Sequence, residues 1–215
     1  MGHLDLIRIL KFLPGIILGL TIHEFSHAYI ARQCGDKTSS EQGRVSLNPF
    51  KHIDFLGFAV LLFAGFGWAK PVQFNEQNLR KPQTDIMKIA IAGPLSNALI
   101  AILISFLYTF FDLFIKGHGA GLRILNDITL YAIYLNWGLF VFNLIPIPPL
   151  DGSHLLLNYF RKFPDLHAKM VRYGSLIFFA LILIMLVTKI DILPIWPVIK
   201  FLGNGCLDLF HNLLH

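Results

Sequence analysis

The chain has 215 residues, of which 55% are hydrophobic and 14% charged, and its net charge is +5. A soluble domain carries about 25% charged residues, so this composition excludes a disordered chain and argues against a water-soluble globule. The mean hydropathy of +0.62 points instead to a polytopic membrane protein, and the length to about one domain.

A membrane-spanning helix needs about 20 mostly apolar residues. Phe12 to Ala31 is the first such segment, lying between Lys11 and Arg32 with Glu24 as its one charged residue. It continues past His23 and Glu24 without a small-residue cleavage site, so it reads as a retained helix and not a signal peptide. Phe55 to Ala69 is too short for a span and contains Gly57, Gly65 and Gly67. A short re-entrant or β-hairpin segment is therefore expected around residues 55–75. Ile89 to Phe111 and Ile128 to Leu150 are two uncharged runs of bilayer length. Tyr173 to Thr188 is a fourth span, with Arg172 and Lys189 placed to snorkel at its ends. Ile192 to Gly203 is interrupted by Pro194 and Pro197 and reads as an interfacial helix or a fifth span.

Residues 32–88 carry eight Lys/Arg and residues 152–172 carry four, whereas residues 112–127 carry two. The positive-inside rule makes the first two loops cytoplasmic and the third external. A basic balance in such a protein suits loops facing anionic lipid, and no nucleic-acid-binding motif is present. Cys34 and Cys206 form no CxxC pair and no disulfide framework.

The first span contains His23-Glu24-Phe25-Ser26-His27, an HExxH pattern. On a helix, residues i and i+4 share a face, so His23 and His27 can present two imidazoles to one metal ion. Glu24 can then act as a general base without being a ligand. Three ionisable groups in one span are costly without a functional partner, which disfavours a merely structural helix. A third ligand remains to be found. Gln33 stands where a longer zinc-protease motif would place a third histidine, and Glu41 and Glu76 lie in a polar loop. The best candidate is Asp151, at the end of Asn143-Leu144-Ile145-Pro146-Ile147-Pro148-Pro149-Leu150. Three prolines must open the backbone there, and irregular backbone at membrane depth lines protein or a wet cavity.

HEFSHA, the AGPLSN run from Ala92 to Asn97, and NLIPIPPLDG from Asn143 to Gly152 resemble the intramembrane zinc metalloproteases of the site-2 protease family. The segments Gly43 to Pro49 and Gly67 to Val72 are similar to its compact prokaryotic branch, which lacks PDZ and CBS domains. The resemblance covers roughly residues 10–160. It implies an all-α polytopic fold in a single domain, residues 1–215. A three-helix catalytic core would occupy about residues 10–160, with C-terminal helices at about 171–215. It also implies one Zn2+ per chain bound by His23, His27 and Asp151, with Glu24 as the base. Asn143 matches a position implicated in holding substrate or the oxyanion, and Asn97, a polar position of the middle core helix, is placed beside it on the substrate side. The implied activity is hydrolysis of peptide bonds in or near the transmembrane helix of a membrane-protein substrate, at a prokaryotic cell membrane and near its cytoplasmic face. A non-proteolytic zinc-binding or transport protein is the alternative. His52 and His154 read as loop or rim histidines.

Overall fold

The computed structural model describes residues 6–64, 67–114, 120–188 and 193–214. Among these residues it is helical, with no named strand. In chain order the helices are α1 (Leu6–Gln33), a single turn α2 (Thr38–Glu41), α3 (Phe55–Ala64), α4 (Pro82–Phe114), α5 (Ala120–Asn143), α6 (Gly152–Phe160), α7 (Pro164–Thr188) and α8 (Ile195–Leu214). Helices α1, α4 and α5 pack against one another and form the centre of the molecule, and α8 lies against α4 and α5.

Among the described residues, four helices are long and apolar enough to cross a membrane: Ile7–Gln33, Pro82–Leu113, Gly121–Asn143 and Pro164–Met185. The protein is an all-α polytopic membrane protein. Lipid tails are as apolar as leucine, so such helices associate through close packing and not through the hydrophobic effect. Gly15 shows this on α1: a Cβ there would lie 2.7 Å from Cα of Ala132 on α5. A salt bridge from Lys11 Nζ to Asp127 Oδ2, 2.7 Å, joins the same two helices. Helix α7 meets the centre lightly, with Phe178 edge-on to Phe142 at 5.8 Å.

Three elements refine the sequence expectation. Helix α5 begins at Ala120 and stops at Asn143, well before Leu150. The prolines at 146, 148 and 149 supply no N–H to continue it, and the chain turns before entering α6. Of the re-entrant and β-hairpin alternatives for the segment around 55–75, the described residues do not form the hairpin. The segment's first leg is the helix α3, an unbroken apolar run, and the returning chain meets Ile53, two residues before that helix, through an isolated antiparallel bridge with Ala69. The run expected from Ile192 to Gly203 is part of α8, which starts at Ile195 and continues to Leu214. Pro194 precedes that helix and Pro197 sits in its first turn, where a missing N–H costs nothing. Ile192 itself lies outside the described residues.

The polar segments before and after α3 are tied over the end of α1. Asp36 is fully buried and accepts from Thr38 N and Oγ1, Asn75 N and Asn78 Nδ2 at 2.6–3.1 Å. Arg80 N donates to Cys34 O at 3.0 Å. Gly35 takes φ +112°, a conformation that a side chain would strain.

Candidate metal centre

His23 and His27 are one helical turn apart on α1, and both are buried. Their Nε2 atoms face each other at 3.1 Å. Oδ2 of Asp151 lies 3.0 Å from the first and 3.3 Å from the second. Asp151 stands immediately before α6, at the end of the proline-rich turn. Gly152 allows that turn to close, because a Cβ there would lie 2.3 Å from the carbonyl oxygen of Leu144.

Hydrogen bonds on the far side of each ring determine what the three atoms can do. His27 Nδ1 lies 2.7 Å from the carbonyl oxygen of Ile89 on α4. A carbonyl only accepts, so Nδ1 carries the proton and donates. His23 Nδ1 lies 2.6 Å from Oδ1 of Asn97, also on α4. The Asn97 amide nitrogen is committed to the carbonyl of Gly19 at 3.1 Å and to Oδ1 of Asn136 at 3.0 Å. Its oxygen therefore faces His23, which again donates from Nδ1. Both Nε2 atoms are left as bare lone pairs, and Asp151 Oδ2 is buried without a hydrogen-bond donor.

Three converging lone pairs need a cation. Ligand atoms about 2.0–2.1 Å from a tetrahedral zinc ion would stand about 3.3 Å from one another. The observed separations of 3.0–3.3 Å fit that geometry. A second imidazole hydrogen bond to carbonyl or amide oxygen is also what orients metal-ligating histidines. His23, His27 and Asp151 could therefore hold one zinc ion. Among the described residues they are the group of His, Cys, Asp and Glu side chains placed to do so.

The remaining expected residues surround this group in different ways. Glu24 is buried, and its Oε2 accepts the backbone N–H of Val72 at 3.0 Å. Asn97 is fully buried beneath His23, so its polar atoms are spent on His23 and the helices. Asn143 ends α5, where its Nδ2 donates back to Leu139 O at 3.0 Å. His154 lies in α6 with its ring centroid 6.1 Å from that of Phe74. His52 is fully buried and bonded through Nε2 to Ser46 O at 2.7 Å. Burial and the nearby Arg44 charge hold its imidazole below the usual range.

Sequence reasoning gave Arg44, Val72 and Asn136 no role of their own at the site, and it read Gly93 as a small residue for helix packing. Arg44 is buried and donates to the carbonyls of Lys51 and Lys70, joining the strands of chain on either side of α3, with its guanidinium 3.9 Å from Glu24. A buried arginine within a loop motif gives no sign of which carbonyls it will meet. Gly93 lies against the histidine pair: a Cβ there would be 2.3 Å from His27 Nε2 and 2.7 Å from His23 Nε2. Asn136 was visible as a polar residue inside an uncharged span, which in a membrane segment is itself a signal.

The profile of Peptidase family M50 matches residues 115–187. YwhC of Bacillus subtilis, named as a zinc metalloprotease, is 36% identical over 91% of this chain and 88% of its own length. Rip2 of Mycolicibacterium smegmatis, also named as a zinc metalloprotease, is 32% identical over 65% of this chain and 53% of its own. MJ0611 of Methanocaldococcus jannaschii, with the same designation, is 30% identical over 69% of this chain and 71% of its own. No solved structure matches the chain significantly. A zinc metalloprotease membership, a buried pair of histidines with a converging aspartate, and a long relative aligned nearly end to end agree: the chain belongs to the site-2 protease family of zinc metalloproteases, Peptidase family M50.

Proposed function

We propose that this zinc metalloprotease cleaves peptide bonds in or near the transmembrane helices of other membrane proteins, with Glu24 as its general base. The observation that carries the reading is the position of the ligand group. His23, His27 and Asp151 converge among α1, α4 and the turn after α5, and those three helices are each long and apolar enough to cross a bilayer. A substrate reaching such a site must itself be within the membrane or at its surface.

His23, His27 and Asp151 would hold the zinc ion, which would supply a lowered water pKa, towards about 7, and polarisation of a carbonyl. Glu24 follows the first ligand on the same helix and accepts the proton of the attacking water, then returns it to the departing amine. The N–H of Val72 holds the Glu24 carboxylate in place, and the Arg44 charge lies behind it. The two Nδ1 hydrogen bonds keep both imidazoles in the tautomer that offers Nε2. Asn143, at the end of α5 and eight residues before Asp151, is assigned to the substrate carbonyl or the developing oxyanion.

A substrate helix hides its carbonyls in its own hydrogen bonds and must unwind locally before attack. The basic polar segments between α1 and α4 make the cytoplasmic face the economical side for water entry. The enzyme is assigned to a prokaryotic cell membrane with its site near that face.

A closed structural zinc site would require a fourth protein ligand, and a transporter would spread its ligands along a path. Among the described residues the group has three ligands, gathered at one point. The deciding experiment compares wild type with Glu24→Gln on a model membrane substrate. The proposal requires retained zinc and lost cleavage in the variant. Cleavage at the wild-type rate would refute it.

A further inference from the structure

We infer that Asn136 is a positioning residue for zinc, acting through Asn97 on the tautomer of His23. The inference rests on the zinc reading of His23, His27 and Asp151.

The argument follows the amide orientations. Asn136 is fully buried on α5, and its Nδ2 donates to Ala132 O at 2.8 Å. That carbonyl can only accept, so the amide nitrogen of Asn136 must point there and its Oδ1 must point away. The Oδ1 receives Asn97 Nδ2 at 3.0 Å. The other Asn97 Nδ2 proton goes to Gly19 O at 3.1 Å. With both amide protons committed, Asn97 presents Oδ1 to His23 Nδ1 at 2.6 Å. The chain of bonds thus has one direction, and it ends with a protonated Nδ1 and a free Nε2 on the metal-facing side of His23.

A reversed Asn97 amide would present N–H to His23 Nδ1. The imidazole proton would then sit on Nε2, where it would compete with a metal ion. Reversal would also set Asn97 Oδ1 against two acceptors, Gly19 O and Asn136 Oδ1. At a fully buried site that arrangement is strongly disfavoured, since facing acceptors leave buried polar groups unpaired. Asn136 therefore contributes one of the two acceptors that fix the amide.

The space for this contact is made on α1. A Cβ on Gly19 would lie 2.8 Å from Asn136 Oδ1, closer than a carbon and an oxygen tolerate. Gly19 is one turn before His23 on the same helix, so α1 offers both the carbonyl that Asn97 needs and the gap that Asn136 occupies. All three central helices meet at this point: α1 through Gly19 and His23, α4 through Asn97, and α5 through Asn136.

The test uses the purified full-length protein and measures zinc affinity by competition with a chelator, together with thermal unfolding of the metal-free protein. Asn136→Leu removes the acceptor within a similar outline, and Asn136→Ser keeps the bond to Ala132 O but falls short of Asn97. Both should weaken zinc binding about tenfold, near the lower end of what outer partners of metal ligands contribute. Asn97→Ala should weaken it by about 10- to 100-fold. The double variant Asn97→Ala with Asn136→Leu should bind zinc no more weakly than Asn97→Ala alone, because Asn136 acts only through Asn97. Wild-type affinity in Asn136→Ser, or losses that multiply in the double variant, would overturn the inference. Absence of zinc binding in the wild type, or its persistence in His23→Ala, would instead overturn the zinc reading and this inference with it.

Discussion

The backbone N–H of Val72 donates to Oε2 of Glu24 across 3.0 Å, linking the chain that returns from α3 to the acid beside the first zinc-ligand candidate. The contact makes Glu24 an acceptor that anchors residues near 72, a role separable from its proposed role as base. Glu24→Gln retains an amide oxygen for Val72 but cannot take a proton, whereas Glu24→Ala loses both. Hydrogen exchange at the Val72 amide should therefore stay close to wild type in Glu24→Gln and rise about tenfold or more in Glu24→Ala, as expected for loss of a hydrogen bond to a charged group. Cleavage should be abolished in both. Equal exchange in all three proteins would show that the contact does not anchor the chain.

Gly93 makes a second prediction. Its missing side chain leaves room for both imidazoles, and a methyl group there would intrude within 2.3 Å of His27 Nε2. The collision is with the candidate ligand atom, on a ring held from its far side by the Ile89 carbonyl. Gly93→Ala should lower zinc content markedly, read by metal analysis of the purified protein. Gly205 on α8 supplies the control, because a Cβ there meets nothing within 4 Å. Gly205→Ala should keep full zinc content and gain about 0.5–1 kcal/mol of helix stability.

The different fates of these residues show what the sequence could and could not convey. The HExxH spacing and the proline-rich approach to Asp151 were legible because helical periodicity and the missing proline N–H act locally. Four of the apolar helices were legible for the same reason, since a run of bilayer length has few alternatives in lipid. Asn97 was assigned to the substrate side because its residue type was visible and its partner was not. Its contact with His23 joins positions 74 residues apart, and that pairing depends on how α1 and α4 are rotated against each other. The segment 55–75 carried glycine signals that suit a hairpin, yet the unbroken apolar run from Phe55 forms a helix. No pattern of alternation was there to decide between them.

The presentation of Asp151 depends on the turn between α5 and α6. Gly152 lies so close to the Leu144 carbonyl that a Cβ would stand 2.3 Å from its oxygen. Leu144 N and Ile145 N still bond to Phe140 O and Phe142 O, so this part of the turn is held by the end of α5 and has little freedom to yield. Gly152→Ala must then displace α6, and Asp151 with it. Zinc affinity should fall by at least tenfold, while the helical content read by circular dichroism remains close to wild type. Unchanged affinity would mean that the turn tolerates the methyl group.

Asp36 provides a prediction about acid. Burial alone would raise its pKa, but donors from Thr38, Asn78 and Asn75 outweigh this and hold it below the ordinary aspartate range. A carboxyl whose folded pKa is depressed contributes stability in full above its unfolded pKa, about 3.9. That contribution is lost as pH falls through the lower folded value. Asp36→Asn keeps one acceptor oxygen but has no charge to titrate. In the metal-free protein, where zinc release cannot intervene, the wild-type polar segment should resist limited proteolysis better than the variant near neutral pH. The advantage should shrink as pH falls below about 4 and disappear once Asp36 is protonated. An acid-stable protease active in that range can read cleavage between α1 and α4. An advantage that persists undiminished at the lowest pH would show that the Asp36 charge does not hold the segment, and that its neutral hydrogen bonds suffice.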